Sequence, residues 1–207
     1  SGILAAKNAA KNNYKTLLSD EKNELGGSTI YENNESNKID NKISSEWLKK
    51  EIEELKNIKN LEIKTRTSVS AYHQYNYLLA RENLTDHLEK KDKTNKIRQR
   101  LLKIRAKKVI LATGALERPM VFNNNDRPGI MLSSAIKKYS DFYGVACGRK
   151  IIFFTNNDSA YESALSLNDK GIKVEAVVDT RKQSETNLEK RVIDAGIKIY
   201  WEHTVVD

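Results

Sequence analysis

The chain has one cysteine, Cys147, among its 207 residues. A lone thiol excludes an internal disulfide, a Cys-x-x-Cys redox pair and a cysteine-rich zinc site, and leaves Cys147 as a small packing residue. The three histidines, His73, His87 and His203, are widely spaced. None belongs to a His-x-x-x-His pair or meets a carboxylate at metal-ligand spacing, so no metal is expected and each is a surface or strand-edge histidine. No Ser-His-Asp or Cys-His arrangement is suggested, and no catalytic residue is assigned. No apolar run approaches the roughly 20 residues of a membrane span, and no secretory leader is visible. A cytoplasmic setting without membrane contact is the resulting expectation. An intact G-x-G-x-x-G is also missing. That turn brings a dinucleotide pyrophosphate onto the free N–H groups of a helix start.

Positive charge is in excess, at a net +8. Lysine far outnumbers arginine, and the cations are spread along the chain without aromatics interleaved on one element. That is the pattern of a solvated surface, not of a nucleic-acid track. A hydrophobic fraction of 39% is enough for a core, and the length allows one large or two small domains.

The strongest single signal is Val109-Ile110-Leu111-Ala112-Thr113-Gly114. An apolar, β-branched run ending abruptly at Thr-Gly predicts a strand over 108–112, covered on both faces of a parallel sheet, with Gly114 allowing close backbone approach. At the other end, Gly2 followed by small apolar residues resembles the third glycine and first helical turn of a dinucleotide fingerprint. An ordinary helix start is the competing reading. The first strand and two glycines of the fingerprint would precede Ser1. A short strand over 14–19 leads to Asp20-Glu21, 18 residues beyond Gly2 and close to the offset of the acid that binds ribose hydroxyls. A carboxylate there accepts from a ribose diol and repels a 2′-phosphate, which favours NAD over NADP. Gly26-Gly27-Ser28 follows, a loop whose bare backbone can pass beside a nucleotide.

The rest of the chain continues an α/β pattern. A helix over 3–12, an Asn/Lys-rich loop over 31–42, and a helix around Trp47, Ile52, Leu55 and Ile58 capped by Ser44 or Ser45 lead to a strand over 61–65. Runs at 69–73, 75–81 and 97–105 predict an antiparallel meander. A helix over 133–143, capped by Ser133 and stopped near Gly144, precedes a second βαβ unit: strand 150–154, helix 158–169, strand 173–178, helix 187–195, strand 197–201. That unit carries Thr155-Asn156-Asn157-Asp158-Ser159-Ala160 where a glycine turn is needed. Asp158 there caps a helix and repels phosphate, and Asp179, in the ribose position, is a structural remnant. No second NAD(P)H is expected.

Several blocks resemble the α subunits of heterotetrameric sarcosine oxidases, within the glutathione-reductase-like superfamily. They are Asp20-Glu21 with Gly26-Gly27-Ser28; Thr85-Asp86-His87-Leu88; Ile104-Arg105-Ala106-Lys107-Lys108; Glu117-Arg118-Pro119 with Asn125-Asp126-Arg127-Pro128-Gly129-Ile130-Met131-Leu132; and Thr155 through Tyr161. The resemblance implies a Rossmann-like three-layer NAD-binding domain with a β-meander over 1–122, without its first strand, and a second, degenerate nucleotide-binding-like domain over 123–207, cut short at its end. It implies NAD contacts at Ser1, Gly2, Asp20, Glu21, Lys22, Gly26, Gly27, Ser28 and Val69, with Thr113 and Gly114 closing the site. It further implies FAD and FMN elsewhere in the complex, partner subunits β, γ and δ, and oxidation of sarcosine with transfer of its one-carbon unit. The rivals are a subunit of a related opine, proline or amine dehydrogenase, a self-contained FAD/NAD(P)H reductase, and an empty scaffold. Glu117-Arg118-Pro119 is expected to stabilise the domain crossing or to meet a neighbouring subunit.

Overall fold

A computed structural model of the chain describes residues 1–31, 38–92 and 96–206. The chain divides into two compact units, Ser1–Gly114 and Ala115–Asp207.

The first unit opens with helix α1 (Gly2–Lys11), whose small residues Ala6 and Ala10 are buried one turn apart. Strand β1 (Thr16–Ser19) follows. A two-residue hairpin comes next, β2 (Lys38–Ile39) and β3 (Lys42–Ile43), turned by Asp40 and Asn41 at positive φ. Helix α2 (Ser44–Lys56) buries Trp47, Leu48, Glu51 and Leu55, the i, i+4, i+8 stripe of an amphipathic helix. Strand β4 (Leu61–Lys64) runs parallel to β1, with Thr16 opposite Leu61. The two helices are joined by Lys7, whose Nζ lies 2.6 Å from Glu51 and 2.7 Å from Glu54. Asn60 donates from Nδ2 to the carbonyls of Ala10 and Tyr14, fixing the end of α1 beside the start of β4. Strands β5 (Thr67–His73), β6 (Tyr77–Asn83) and β7 (Gln99–Arg105) form an antiparallel sheet in the order β5-β6-β7.

In the second unit, helix α3 (Ser133–Tyr143) ends at Gly144, whose φ of 65° is the left-handed stop that glycine tolerates best. Strand β8 (Lys150–Thr155), helix α4 (Ser159–Asp169), strand β9 (Lys173–Asp179), helix α5 (Asn187–Asp194) and strand β10 (Lys198–Trp201) follow. The sheet is wholly parallel, in the order β10-β9-β8. Its core packs Tyr161, Ala164 and Leu167 of α4 against Phe153, Val177, Val192 and Ile197.

Several expectations are corrected. Residues 108–112 form no strand: Ile110 and Leu111 are 67% and 68% exposed, and no strand among the described residues pairs with them. The apolar run carries the propensity of a buried strand, but propensity without a ladder partner leaves main chain and side chains in solvent. Strand β1 starts at Thr16, leaving Tyr14 exposed. Residues 38–43, mostly assigned to the loop, form the β2–β3 hairpin, and residues 32–37 lie outside the described residues. Tyr75 and Asn76 adopt positive φ and turn the chain, so β6 begins at Tyr77. Neither Ser44 nor Ser45 caps α2; both are inside it or at its first turn, with Ile43 at the cap position. Cys147 is exposed.

The units divide eight residues before the expected 122–123 boundary, because residues 115–122 pack on the second unit. The Phe122 ring meets Phe154 edge-on at 5.6 Å. Glu117 takes the capping role expected of Ser133. Its carboxylate accepts from the backbone N–H groups of Ser133 at 3.0 Å and Ser134 at 2.7 Å. Burial pushes the Glu117 carboxyl up, but the hydrogen bonds from Ser134 and Ser133 outweigh it and hold the group below the usual glutamate range. Glu117→Ala is expected to cost about 1 kcal/mol at neutral pH. A carboxylate with a depressed folded value stabilises above its ordinary range and loses that contribution as pH falls through the folded value. Urea unfolding of wild type and variant should therefore show a gap at pH 7 that narrows in acid.

Candidate functional site

The first unit assembles its candidate site where β1 ends. The Asp20 N–H donates to the Lys64 carbonyl at 2.9 Å and its carbonyl accepts from Thr67 N–H at 2.8 Å. The turn is thus sewn to the segment joining β4 and β5. Arg66 N–H donates to the Lys22 carbonyl at 2.7 Å, and Ser19 Oγ donates to the Thr67 carbonyl at 2.9 Å. Asp20 Oδ1 accepts from Lys22 N–H at 2.9 Å, an Asx turn that orients the carboxylate, and among the described residues no donor reaches Oδ2. Asp20 is half-buried, while Glu21 and Lys22 are exposed. A carboxylate held in this way suits a vicinal diol.

The α1 start supplies the second part. Helix α1 begins at Gly2 with small apolar residues and no acid in its first turn. A Cβ at Gly2 would stand 3.1 Å from Ala112 Cβ, so glycine lets the helix start lie close against Ala112. Thr113 and Gly114 are exposed beside that contact, and Gly114 has φ of 73°. Gly2 therefore lies against Ala112, which precedes Thr113 and Gly114 in the chain. A carboxylate after β1 is of the chemistry that takes a ribose diol, and backbone N–H groups at a helix start are of the chemistry that takes a phosphate.

Other expected contacts have different local roles. A Cβ on Gly26 would collide with Leu48 Cδ2 at 2.4 Å, so its bareness serves α2 packing. Gly27 at φ 62° opens a short 3-10 turn, Gly27–Ile30, that also contains Ser28, which is exposed. Val69 lies in β5 opposite Ala80, at a register shift. It is exposed and two residues beyond Thr67, which is tied to Asp20. His73, His87 and His203 are all exposed, and among the described residues no cluster of metal-ligating side chains occurs.

The corresponding place in the second unit is closed by the chain itself. Asp179, at the end of β9, is 1% exposed. It accepts from Tyr161 Oη at 2.7 Å and from Arg181 Nη2 at 2.7 Å, with Arg181 Nε at 3.1 Å and Arg181 N–H at 2.8 Å. The same guanidinium reaches Asp158 at 2.8 Å. Asp158 therefore does not cap α4 with its side chain, as expected from the sequence; Asn157 Oδ1 accepts from Ser159 N–H instead. Charge explains the switch: a carboxylate within reach of Arg181 gains more from the cation than from a helix N–H. Burial pushes the Tyr161 hydroxyl up strongly, reinforced by its bond to Asp179, so it stays protonated and donating. Sequence reasoning missed Tyr161 and Arg181. The Asp-x-Arg spacing of Asp179 and Arg181 was the available signal.

The architecture is that of solved oxidoreductases. L-proline dehydrogenase from P. horikoshii aligns over 90% of this chain and 34% of its own, at 27% identity and a TM-score of 0.66. An engineered water-forming NADPH oxidase shares the fold at 14% identity and a TM-score of 0.56, over 100% of this chain and 45% of its own. No family model matches the chain. The sarcosine oxidase α subunit of Corynebacterium sp. (strain P-1) is 37% identical over 206 residues, which is 100% of this chain and 21% of that subunit. The α subunit of Rhizobium meliloti (strain 1021) is 36% identical over 180 residues, covering 87% of the chain and 18% of the relative. The chain belongs to the sarcosine oxidase α-subunit family and spans about one fifth of the length of these curated relatives. No helix among the described residues is long and apolar enough to cross a membrane.

Proposed function

We propose that the first unit binds NAD in the α subunit of a sarcosine oxidase and that the second unit binds no dinucleotide. The observation that carries this reading is the contrast between the two acids that follow a parallel strand. After β1, Asp20 is held by Lys64, Thr67 and Lys22, and no other described residue donates to its carboxylate. After β9, Asp179 is buried and taken up by Tyr161 and Arg181, and Asp158 at the α4 start pairs with the same guanidinium. Ser1 and Gly2 would hold the pyrophosphate, Asp20 and Glu21 the adenosine ribose, with Lys22, Ser28 and Val69 alongside and Thr113 and Gly114 closing over it. NAD so held supplies a bound dinucleotide, while amine oxidation proceeds at FAD and FMN carried largely outside this chain. The complex then converts sarcosine, oxygen and water to glycine, formaldehyde and hydrogen peroxide, or passes the one-carbon unit to tetrahydrofolate. The likeness to L-proline dehydrogenase favours a second reading in which the amine substrate differs and the nucleotide role stands.

The test is to purify the full-length subunit without its partners, denature it and identify the released nucleotide by chromatography and mass. One NAD per chain supports the reading. FAD instead makes the subunit a self-contained flavoprotein, and an empty protein leaves only a scaffold and removes the Asp20 contacts.

A further inference from the structure

Among the described residues, three cations of the β5-β6-β7 sheet have no carboxylate partner. Alternation along β6 places Tyr77, Leu79 and Arg81 on one face and Leu78, Ala80 and Glu82 on the other. The register sets Tyr77 opposite Arg105, Leu79 opposite Lys103 and Arg81 opposite Leu101. Arg81, Lys103 and Arg105 therefore share the first face. Leu78 and Ala80 are buried, whereas Arg81, Leu101, Lys103 and Arg105 are exposed, so the cationic face is the solvent-facing one. Cations two apart on a strand are about 7 Å apart, and diagonal cross-strand neighbours about 7–8 Å. Glu82 is the sole carboxylate in the three strands and lies on the opposite face.

Other cations in and beside the sheet do have carboxylate partners. Lys64 lies 3.0 Å from Glu82, Arg100 lies 3.5 Å from it, and Arg98 lies 2.6 Å from Asp86. Among the described residues no carboxylate reaches Arg81, Lys103 or Arg105; Arg105 sits only over the Tyr77 ring, at 5.4 Å. Leu79 and Leu101 lie between these charges, and Leu101 is 62% exposed. Apolar contact area ringed by charge is the anatomy of a protein interface. A single-stranded nucleic acid would need open aromatic faces to stack on, and Tyr77 is already flanked by Arg105 and His73.

We infer that this face docks an acidic surface of a partner subunit. The inference rests on the α-subunit reading, which supplies such partners. The test uses the full-length subunit co-expressed with its partner subunits. It compares wild type, Arg81→Glu/Lys103→Glu/Arg105→Glu, and a charge-matched control, Lys15→Glu/Lys49→Glu/Lys59→Glu, at exposed positions elsewhere on the unit. Partner affinity at rising salt, nucleotide content and a circular-dichroism melt are read for each. Wild-type affinity should fall with salt, the face variant should bind about 100-fold more weakly, and the control should match wild type. Should the face variant fail to fold, the glutamine triple at the same positions replaces it, with a loss of about 10-fold. A face variant with wild-type affinity overturns the docking, as does a control that loses as much, or a variant that sheds only nucleic acid. A wild-type subunit holding NAD but no partner overturns the docking alone. One holding its partner but no NAD overturns the NAD reading alone.

Discussion

Asp179→Ala should lower the thermal midpoint of the second unit by about 12–24 °C, following from a loss of about 3 kcal/mol. Asp179 is the acceptor on which Tyr161 and Arg181 both converge, and Tyr161 is itself fully buried. Removing the carboxylate strands a buried hydroxyl without an acceptor, and an unsatisfied buried donor costs about 1–3 kcal/mol. It also unpairs Arg181, whose side chain is 37% exposed, so water recovers part of that loss. Tyr161→Phe removes only one donor and should cost about 1 kcal/mol. The same network has a pH signature. Burial pushes the Asp179 carboxyl up, but hydrogen bonds from Arg181 and Tyr161 prevail and hold it below the usual aspartate range. A depressed folded value means stability that is present above the unfolded value and lost as pH falls through the folded one. Wild type should therefore lose stability in acid more steeply than Asp179→Asn. Calorimetric scans between neutral and acid pH check both points. An unchanged midpoint for the alanine variant would show that solvent and neighbours replace the carboxylate without loss.

Asp20→Ala should weaken NAD binding to the full-length subunit by about 10- to 100-fold. Hydrogen bonds to a charged group are worth about 1.5–3 kcal/mol, and each 1.4 kcal/mol is a factor of ten. The fold should tolerate the change. Asp20 is held through its own N–H and carbonyl, by Lys64 and Thr67, and the side chain supports only the turn to Lys22. Removing the carboxylate also removes the repulsion of a 2′-phosphate, so the preference for NAD over NADP should shrink. Isothermal titration of both nucleotides into stripped subunit, with a melt as control, measures this directly. Equal NAD affinity in wild type and variant would take Asp20 out of the site.

Much of this was legible from residues alone. The βαβ order of the second unit follows from apolar runs alternating with helical stripes, and strands β8, β9 and β10 fall within a residue or two of where the pattern puts them. The meander is legible too, since its strands are short runs rich in β-formers separated by polar connections. The 108–112 run was misread because local sequence reports what a segment prefers, not whether a neighbour is there to pair with it. Capping failed at Ser133 and Asp158 for a related reason. Glu117 lies 16 residues from the N–H group of Ser133, and Arg181 lies 23 residues from Asp158. A local rule does not see competitors that arrive through folding.

The sequence by itself determined the α/β alternation, the family and the absence of a second glycine turn, because each is written in local periodicity or in residue identity. Tertiary structure alone decided that Gly26 serves Leu48 packing while Gly2 serves approach to Ala112, that Arg181 seals Asp179, and that Arg81 joins Lys103 and Arg105 on one exposed face. Each of those outcomes depends on side chains far apart in the chain meeting in space, and the distances and register at which they meet are set by sheet pairing and helix packing.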